Sequence, residues 1–259
     1  MAKVTPTACA IILSGALSLL MPASWSQLVA SRDVTSGWSV PPERVPGPPQ
    51  DTCPKVNYSV SPADKTKKVS PAEGERVELE IVQISPRQLT IGEEFTATVR
   101  LKNAGTSTVL VPSTADGAKL SGTAGNGGNE ASEEKYEVAD VSFRLATGKD
   151  HRTPIFLSST GALFADPNDK STYVTLAPGN WLEIKLKGVV ECGAAKCLAA
   201  LQADSNGVLT AWWYQRVLTH KVSGCDENHG SIDVREVDSA PFPVVVHNSV
   251  KKAESSPRI

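Results

Sequence analysis

From residue 76 onward, apolar and polar side chains alternate with a period of two. In "FTATVRLK", Phe95, Ala97, Val99 and Leu101 fall on one face and Thr96, Thr98, Arg100 and Lys102 on the other. That is the signature of a strand with one side in a core and the other in water. "WLEIKLKG" repeats it, setting Leu182, Ile184 and Leu186 against Glu183, Lys185 and Lys187. Val141, Phe143 and Leu145 share a face in "VSFRL", as do Val77, Leu79 and Ile81 in "VELEI". Residues 107–111, 207–219 and 242–247 are further strand candidates. Turn formers separate these runs: Pro86, Gly92, "NAG" at 103–105, Pro112, "APG" at 177–179 and "DSNG" at 204–207. Many short alternating runs with no sustained 3.6-residue period predict an all-β, antiparallel sandwich. One piece, "GAAKCLAALQAD" at 193–204, has helical character and would join two strands.

Three stretches depart from this pattern. Residues 1–30 carry Lys3, the apolar run "ACAIILSGALSLLMPA" and then small residues, which reads as a secretory signal peptide cleaved near Ala23 or after Ala30. Ser, Gly and Pro interrupt the run too often for a membrane span, which needs roughly 20 apolar residues; a retained anchor is the alternative. Residues 39–75 hold 8 of the 18 prolines and almost no apolar periodicity, so 31–75 is expected to be a solvated linker or stalk. Its Asn57-Tyr58-Ser59 matches a glycosylation acceptor, relevant only in a eukaryotic host. Residues 113–135, rich in Gly and poor in apolar side chains, are expected to form a long mobile insertion. The domain itself is expected over 76–248, with a flexible tail at 249–259.

The runs "VELEIVQISPRQLTIGEEFTATVRLKNAGTSTVLVP", "LAPGNWLEIKLKG" and "GVLTAWWYQ" resemble the immunoglobulin-like and fibronectin-III-like modules of bacterial exported proteins. The resemblance covers residues 76–111 and 176–216 and implies an immunoglobulin-like β-sandwich with no particular activity. Strand alternation of that kind implies a pairing for the four cysteines left after signal removal: Cys192 with Cys197 in one end loop, and Cys53 with Cys225 at the other end. An even count in an oxidising compartment is expected to form disulfides. Neither zinc-knuckle nor Cys-x-x-Cys redox spacing is present among these four.

With 40% apolar residues in 259, the chain can build a core. Signal removal takes away Lys3 and no acid, moving the formal charge from -2 to -3. That argues against a nucleic-acid partner, which would call for a basic face. "KTKK" at 65–68 reads as solvated linker charge. "HKVSGCDENHG" gathers His220, Cys225, Asp226 and His229, enough to imagine a metal site, but a disulfide would consume the cysteine and a polar loop at a strand end explains the rest, so that loop is the default. "DPNDKSTY" offers Asp166, Asn168 and Asp169 as calcium ligands; it departs from the EF-hand loop, so an Asp/Asn/Pro turn is the default. Ser158, Ser159 and Thr160 lack an identified base. No cofactor is implied.

"LTAWWYQRV" is the most informative stretch for binding. As a strand it places Leu209, Ala211, Trp213 and Val217 on the core face and Trp212, Tyr214 and Arg216 on the other. Outward aromatics need a cover, from the 113–135 insertion or the stalk, or a ligand. The leading expectation is a secreted, periplasmic or envelope-associated non-enzymatic module that binds a protein or polysaccharide partner. The alternatives are a carbohydrate-active accessory domain or hydrolase, and a proteinase-inhibitor-like sandwich acting through the 113–135 or 158–172 loops.

Overall fold

The structure is a computed structural model that describes residues 26–37, 67–68, 70–120, 132–147, 153–190 and 205–247. The strands are β1 Leu28–Asp33, β2 Lys67–Lys68, β3 Val77–Ser85, β4 Gln88–Thr90, β5 Glu94–Asn103, β6 Val109–Pro112 and β7 Ser132–Thr147. They continue as β8 Thr153–Ala165, β9 Tyr173–Leu176, β10 Trp181–Val189, β11 Ser205–Ser223, β12 Asp226–Asp238 and β13 Phe242–His247. What it supports of the expected architecture is the coarser part: an all-β domain, predominantly antiparallel, with several sheets, one curled into a half-barrel.

Hydrogen bonds follow the path β2-β12-β11-β7-β8-β10-β5-β3. β8 is the joint, pairing with β7 along most of its length and with Val189 and Gly188 of β10 at Ser158 and Ser159. The path curls back on itself where Leu79 of β3 bridges Ser239, just after β12. β11 is shared: Ser205–Leu209 pairs with β13, and Trp212–Ser223 with β12. β6 and β9 form a separate two-stranded ribbon.

The alternating faces read from the sequence point as expected. Val99, Leu101, Phe143, Leu145, Leu182, Ile184, Leu186, Leu209, Ala211 and Trp213 are all fully buried in one cluster. Each large side chain there contributes about 1.5–3 kcal/mol relative to exposure. Close packing also explains Gly188, which lies opposite Phe95; a Cβ there would sit 2.4 Å from the Phe95 ring.

Several stretches behave differently from the sequence expectation. Leu28–Asp33 pairs in parallel with β10, and Val34 beyond it is 1% exposed in the core, so the boundary drawn at residue 30 falls inside a strand. Residues 113–120, the start of the expected insertion, are packed: Thr114 and Phe164 exchange backbone bonds of 3.0 and 2.8 Å, and a 3-10 turn at Gly117–Lys119 leads to buried Leu120. Leu120 covers Val138, Ala162 and Phe164 on the outer face of β7 and β8, a small second core. The other end of the insertion is β7 itself, from Ser132. Residues 121–131 and the helical candidate at 193–204 lie outside the described residues.

The expected disulfide bond is a correction. A bridge requires two sulfurs about 2.05 Å apart, and among the described residues no Sγ–Sγ pair at bonding distance is present. Cys225, in the β11–β12 turn, is the cysteine the described residues contain, whereas Cys53, Cys192 and Cys197 lie outside them. Among the described residues, no helix is long and apolar enough to cross a membrane.

Candidate functional site

The outer face of β11 carries the site. Its order follows from strand register. Trp212 lies between Ser142 of β7 and Asp238 of β12, and Tyr214 between Asp140 and Glu236. Arg216 lies between Val138 and Asp233, after a bulge that shifts β12 by one residue. Such a bulge re-aims the strand that carries it.

The two rings stand face to face, with centroids 5.3 Å apart and planes 17° from parallel. Arg144, one register step before Trp212, places its guanidinium 5.0 Å from the Trp212 centroid. Arg216, one step beyond Tyr214, sits 5.3 Å from the Tyr214 centroid. The result is a ladder of guanidinium, indole, phenol and guanidinium, the first from β7 and the other three from β11, in which cation–π contacts hold both ends. The ring faces are occupied within the ladder, so the rings offer edges to the solvent side and do not form a flat aromatic platform.

Carboxylates fix each rung. Trp212 Nε1 donates to Glu236 at 3.0 Å, and the Tyr214 hydroxyl donates to Asp233. Arg216 pairs with Asp140 at 3.2 Å and Arg144 with Asp238 at 3.5 Å. Burial raises the Asp140 carboxyl above the usual carboxylate range, against the pull of Arg216. Desolvation, then the bond to Asp233 and that carboxylate's charge, push the Tyr214 phenol up to about 12. The face thus sets two guanidiniums among four carboxylates.

Beside the ladder lies a depression of about 310 Å³, lined by Asp140, Ser142, Ala162, Trp212, Tyr214 and Arg216 among others. It exists because Ala162 of β8, opposite Asp140, contributes only a methyl group where a longer side chain would fill the space. Its volume is at the low end for small-molecule sites. Residues 113–120 pack next to it, over Phe164, and leave Trp212 and Tyr214 partly exposed.

The inner face holds a polar chain that the sequence reading did not find. Glu137, Gln215 and Trp213 point inward together. The Tyr173 hydroxyl donates to Glu137 Oε2 at 2.7 Å, and Gln215 Nε2 donates to Glu137 Oε1. Gln215 Oε1 accepts from Trp213 Nε1 at 3.3 Å and from Arg235 at 2.8 Å, and Arg235 reaches Glu75 at 3.0 Å. Burial, the bond to Glu137 and the charges of Glu137 and Asp166 raise the Tyr173 phenol far above its ordinary value. This chain satisfies polar groups where the hairpin leaves the apolar core.

Other sequence candidates are placed as follows. Asp166 Oδ1 accepts from the Asn168 N–H at 2.8 Å and Asp169 Oδ1 from the Ser171 N–H at 2.9 Å, so both carboxylates brace the turn after β8. The bonds from Ser171 lower the Asp169 carboxyl. His220 and His229 come together at the hairpin tip, joined by Glu227, which the sequence reading had not singled out. Pairing outward from a two-residue turn at Gly224 and Cys225 places His220 opposite His229, and that register was the signal available.

No protein-family model matches the chain, and no curated protein matches it in sequence. Among solved structures it is similar to the Pseudomonas fluorescens alkylpurine DNA glycosylase AlkC bound to DNA containing an abasic site analog, at 11% identity over 61% of this chain and 30% of that one, TM-score 0.22. A β-glucosidase from Listeria innocua in complex with glucose is 13% identical over 62% of this chain and 16% of its own, TM-score 0.22. Spo0M, a sporulation control protein from Bacillus subtilis, is 11% identical over 63% and 49%, TM-score 0.21. The chain therefore spans under a third of the glycosylase and about a sixth of the glucosidase. Likenesses of this size carry no argument about activity.

Proposed function

We propose that this chain is an exported β-sandwich module that binds a saccharide in the depression beside the Trp212–Tyr214 ladder, as an accessory to carbohydrate recognition. The observation that carries the reading is the depression itself. Its wall offers aromatic edges and, within the same few ångströms, a guanidinium, a carboxylate and a hydroxyl. A sugar ring presents apolar C–H faces and hydroxyls that both donate and accept, which suits a site mixing aromatic edges with planar charged groups. Nucleic acid does not suit a face with four carboxylates and two guanidiniums.

Binding is favoured over cleavage because each rim carboxylate already has a partner: Asp140 holds Arg216, Asp233 holds Tyr214, Glu236 holds Trp212 and Asp238 holds Arg144. Glycoside hydrolysis needs one carboxyl free to give up a proton and another free to attack or activate water. The test is retention on a panel of insoluble polysaccharides, calorimetry with soluble oligosaccharides, and a parallel assay with chromogenic glycosides. Retention that disappears in Trp212→Ala and Asp140→Ala, without glycoside cleavage, is expected. Absence of binding across the panel would overturn the reading, and cleavage would replace binding with catalysis.

A further inference from the structure

We propose that the tip of the β11–β12 hairpin is a divalent transition-metal site, with His220 and His229 ligating through Nε2 and Glu227 through a carboxylate oxygen, and zinc as the ion that the donor set fits. Glu227 Oε1 lies 2.9 Å from His220 Nε2 and 3.1 Å from His229 Nε2, and the candidate ligand atoms lie within 4.8 Å of one another. Around a tetrahedral zinc with bonds of about 2.0–2.1 Å, neighbouring ligand atoms sit roughly 3.3 Å apart. The two Glu227–imidazole distances are therefore a few tenths of an ångström tighter than in a loaded site, while the two imidazole nitrogens, within 4.8 Å of each other, must settle at that spacing when an ion enters.

The fold prepares this arrangement. Gly224, at φ 61°, lets the chain reverse in two residues, and the resulting register sets the two histidines directly opposite one another. Glu227 is two residues from His229 on the same face of β12, and His220 is buried, which fixes its ring. The carboxylate gives the site negative charge, and Glu134 of β7 lies opposite His220 in register to add to it.

One movement is needed. The imidazoles are stacked 4.5 Å apart with planes 2° from parallel, whereas an ion lies close to the plane of each ring it binds. The His229 side chain is 65% exposed and supplies the required tilt, while His220, at 7%, stays in place. Two imidazoles and one carboxylate select zinc-like borderline ions over calcium and magnesium, which take all-oxygen shells. Three protein ligands leave a coordination position open to water or to a donor from another molecule.

The experiment uses the untagged full chain, stripped of metal, titrated with zinc by calorimetry and with cobalt by visible absorption. One ion per chain is expected, with cobalt bands of a low-coordinate nitrogen and oxygen site. His229→Ala and Glu227→Gln should each weaken binding by at least about 100-fold. The His229 variant is informative because its exposed side chain can be removed without opening a core, and circular dichroism verifies its fold. No saturable binding in the wild type would overturn the proposal, as would affinity unchanged in both variants, which would place the ion elsewhere in the chain.

Discussion

Replacing Gln215 with leucine tests whether the inner polar chain is a structural necessity of this fold. Gln215 is 1% exposed and makes three contacts, accepting from Trp213 and Arg235 and donating to Glu137. Leucine fills much of the same space but leaves the indole N–H of fully buried Trp213 without its acceptor, at about 1–3 kcal/mol. It also removes a charge-assisted bond from Glu137, which keeps only Tyr173, at about 1.5–3 kcal/mol. Added apolar burial returns about 1–2 kcal/mol, and the net loss is about 3 kcal/mol. With a urea slope of about 2–3 kcal/mol/M, the unfolding midpoint falls by roughly 1–1.5 M. The double variant Glu137→Leu/Gln215→Leu also removes the carboxylate that Gln215→Leu leaves with one donor fewer, and should lose less than the sum of the single changes. A Gln215→Leu midpoint within about 0.3 M of wild type, at an unchanged slope, would refute the reasoning.

Alkaline stability should follow Tyr173. Its phenol is raised in the folded state, so its contribution is present below the unfolded value near 10 and is lost as pH rises beyond that; Tyr173→Phe should abolish this part of the pH dependence in unfolding curves. Tyr214 should ionise near pH 12 by ultraviolet difference absorbance, and Asp233→Asn should bring that titration down toward 10; no movement would mean that Asp233 is not its partner. Gly188→Ala, forcing a methyl group to 2.4 Å from the Phe95 ring, should cost at least about 1–3 kcal/mol in thermal or urea unfolding.

The strands that were legible in the sequence are those buried on one face. β5 and β10 alternate cleanly, and "LTAWWYQRV" divided correctly into core and outer faces because its neighbours differ sharply in polarity. β8 was illegible for the opposite reason. Residues 161–166 are buried without alternation, since Leu120 covers the outer side of a strand whose inner side is already core. β12, "DENHGSIDVREVD", lacks an apolar period and owes its strand character to the register with β11. β1 reads as the end of a leader because its apolar residues continue a longer apolar run. The ladder's outer position was legible, but its partners were not. Asp140, Arg144, Asp233 and Glu236 come from two other strands, and the bulge at Gln215 and Arg216 decides which carboxylate meets which rung. Gln215 and Glu137 break the apolar alternation of the inner face, so a pattern reading passes over the network they form.

The most direct measurement of the account's central claim is a nitrogen-15 correlation spectrum of the labelled protein during titration with oligosaccharides retained in the panel. The account predicts shifts concentrated at the Trp212 indole N–H and the backbone amides of Asp140, Ala162, Tyr214 and Arg216, and their loss in Trp212→Ala. Saturable binding that leaves these signals unmoved and perturbs another face would contradict it.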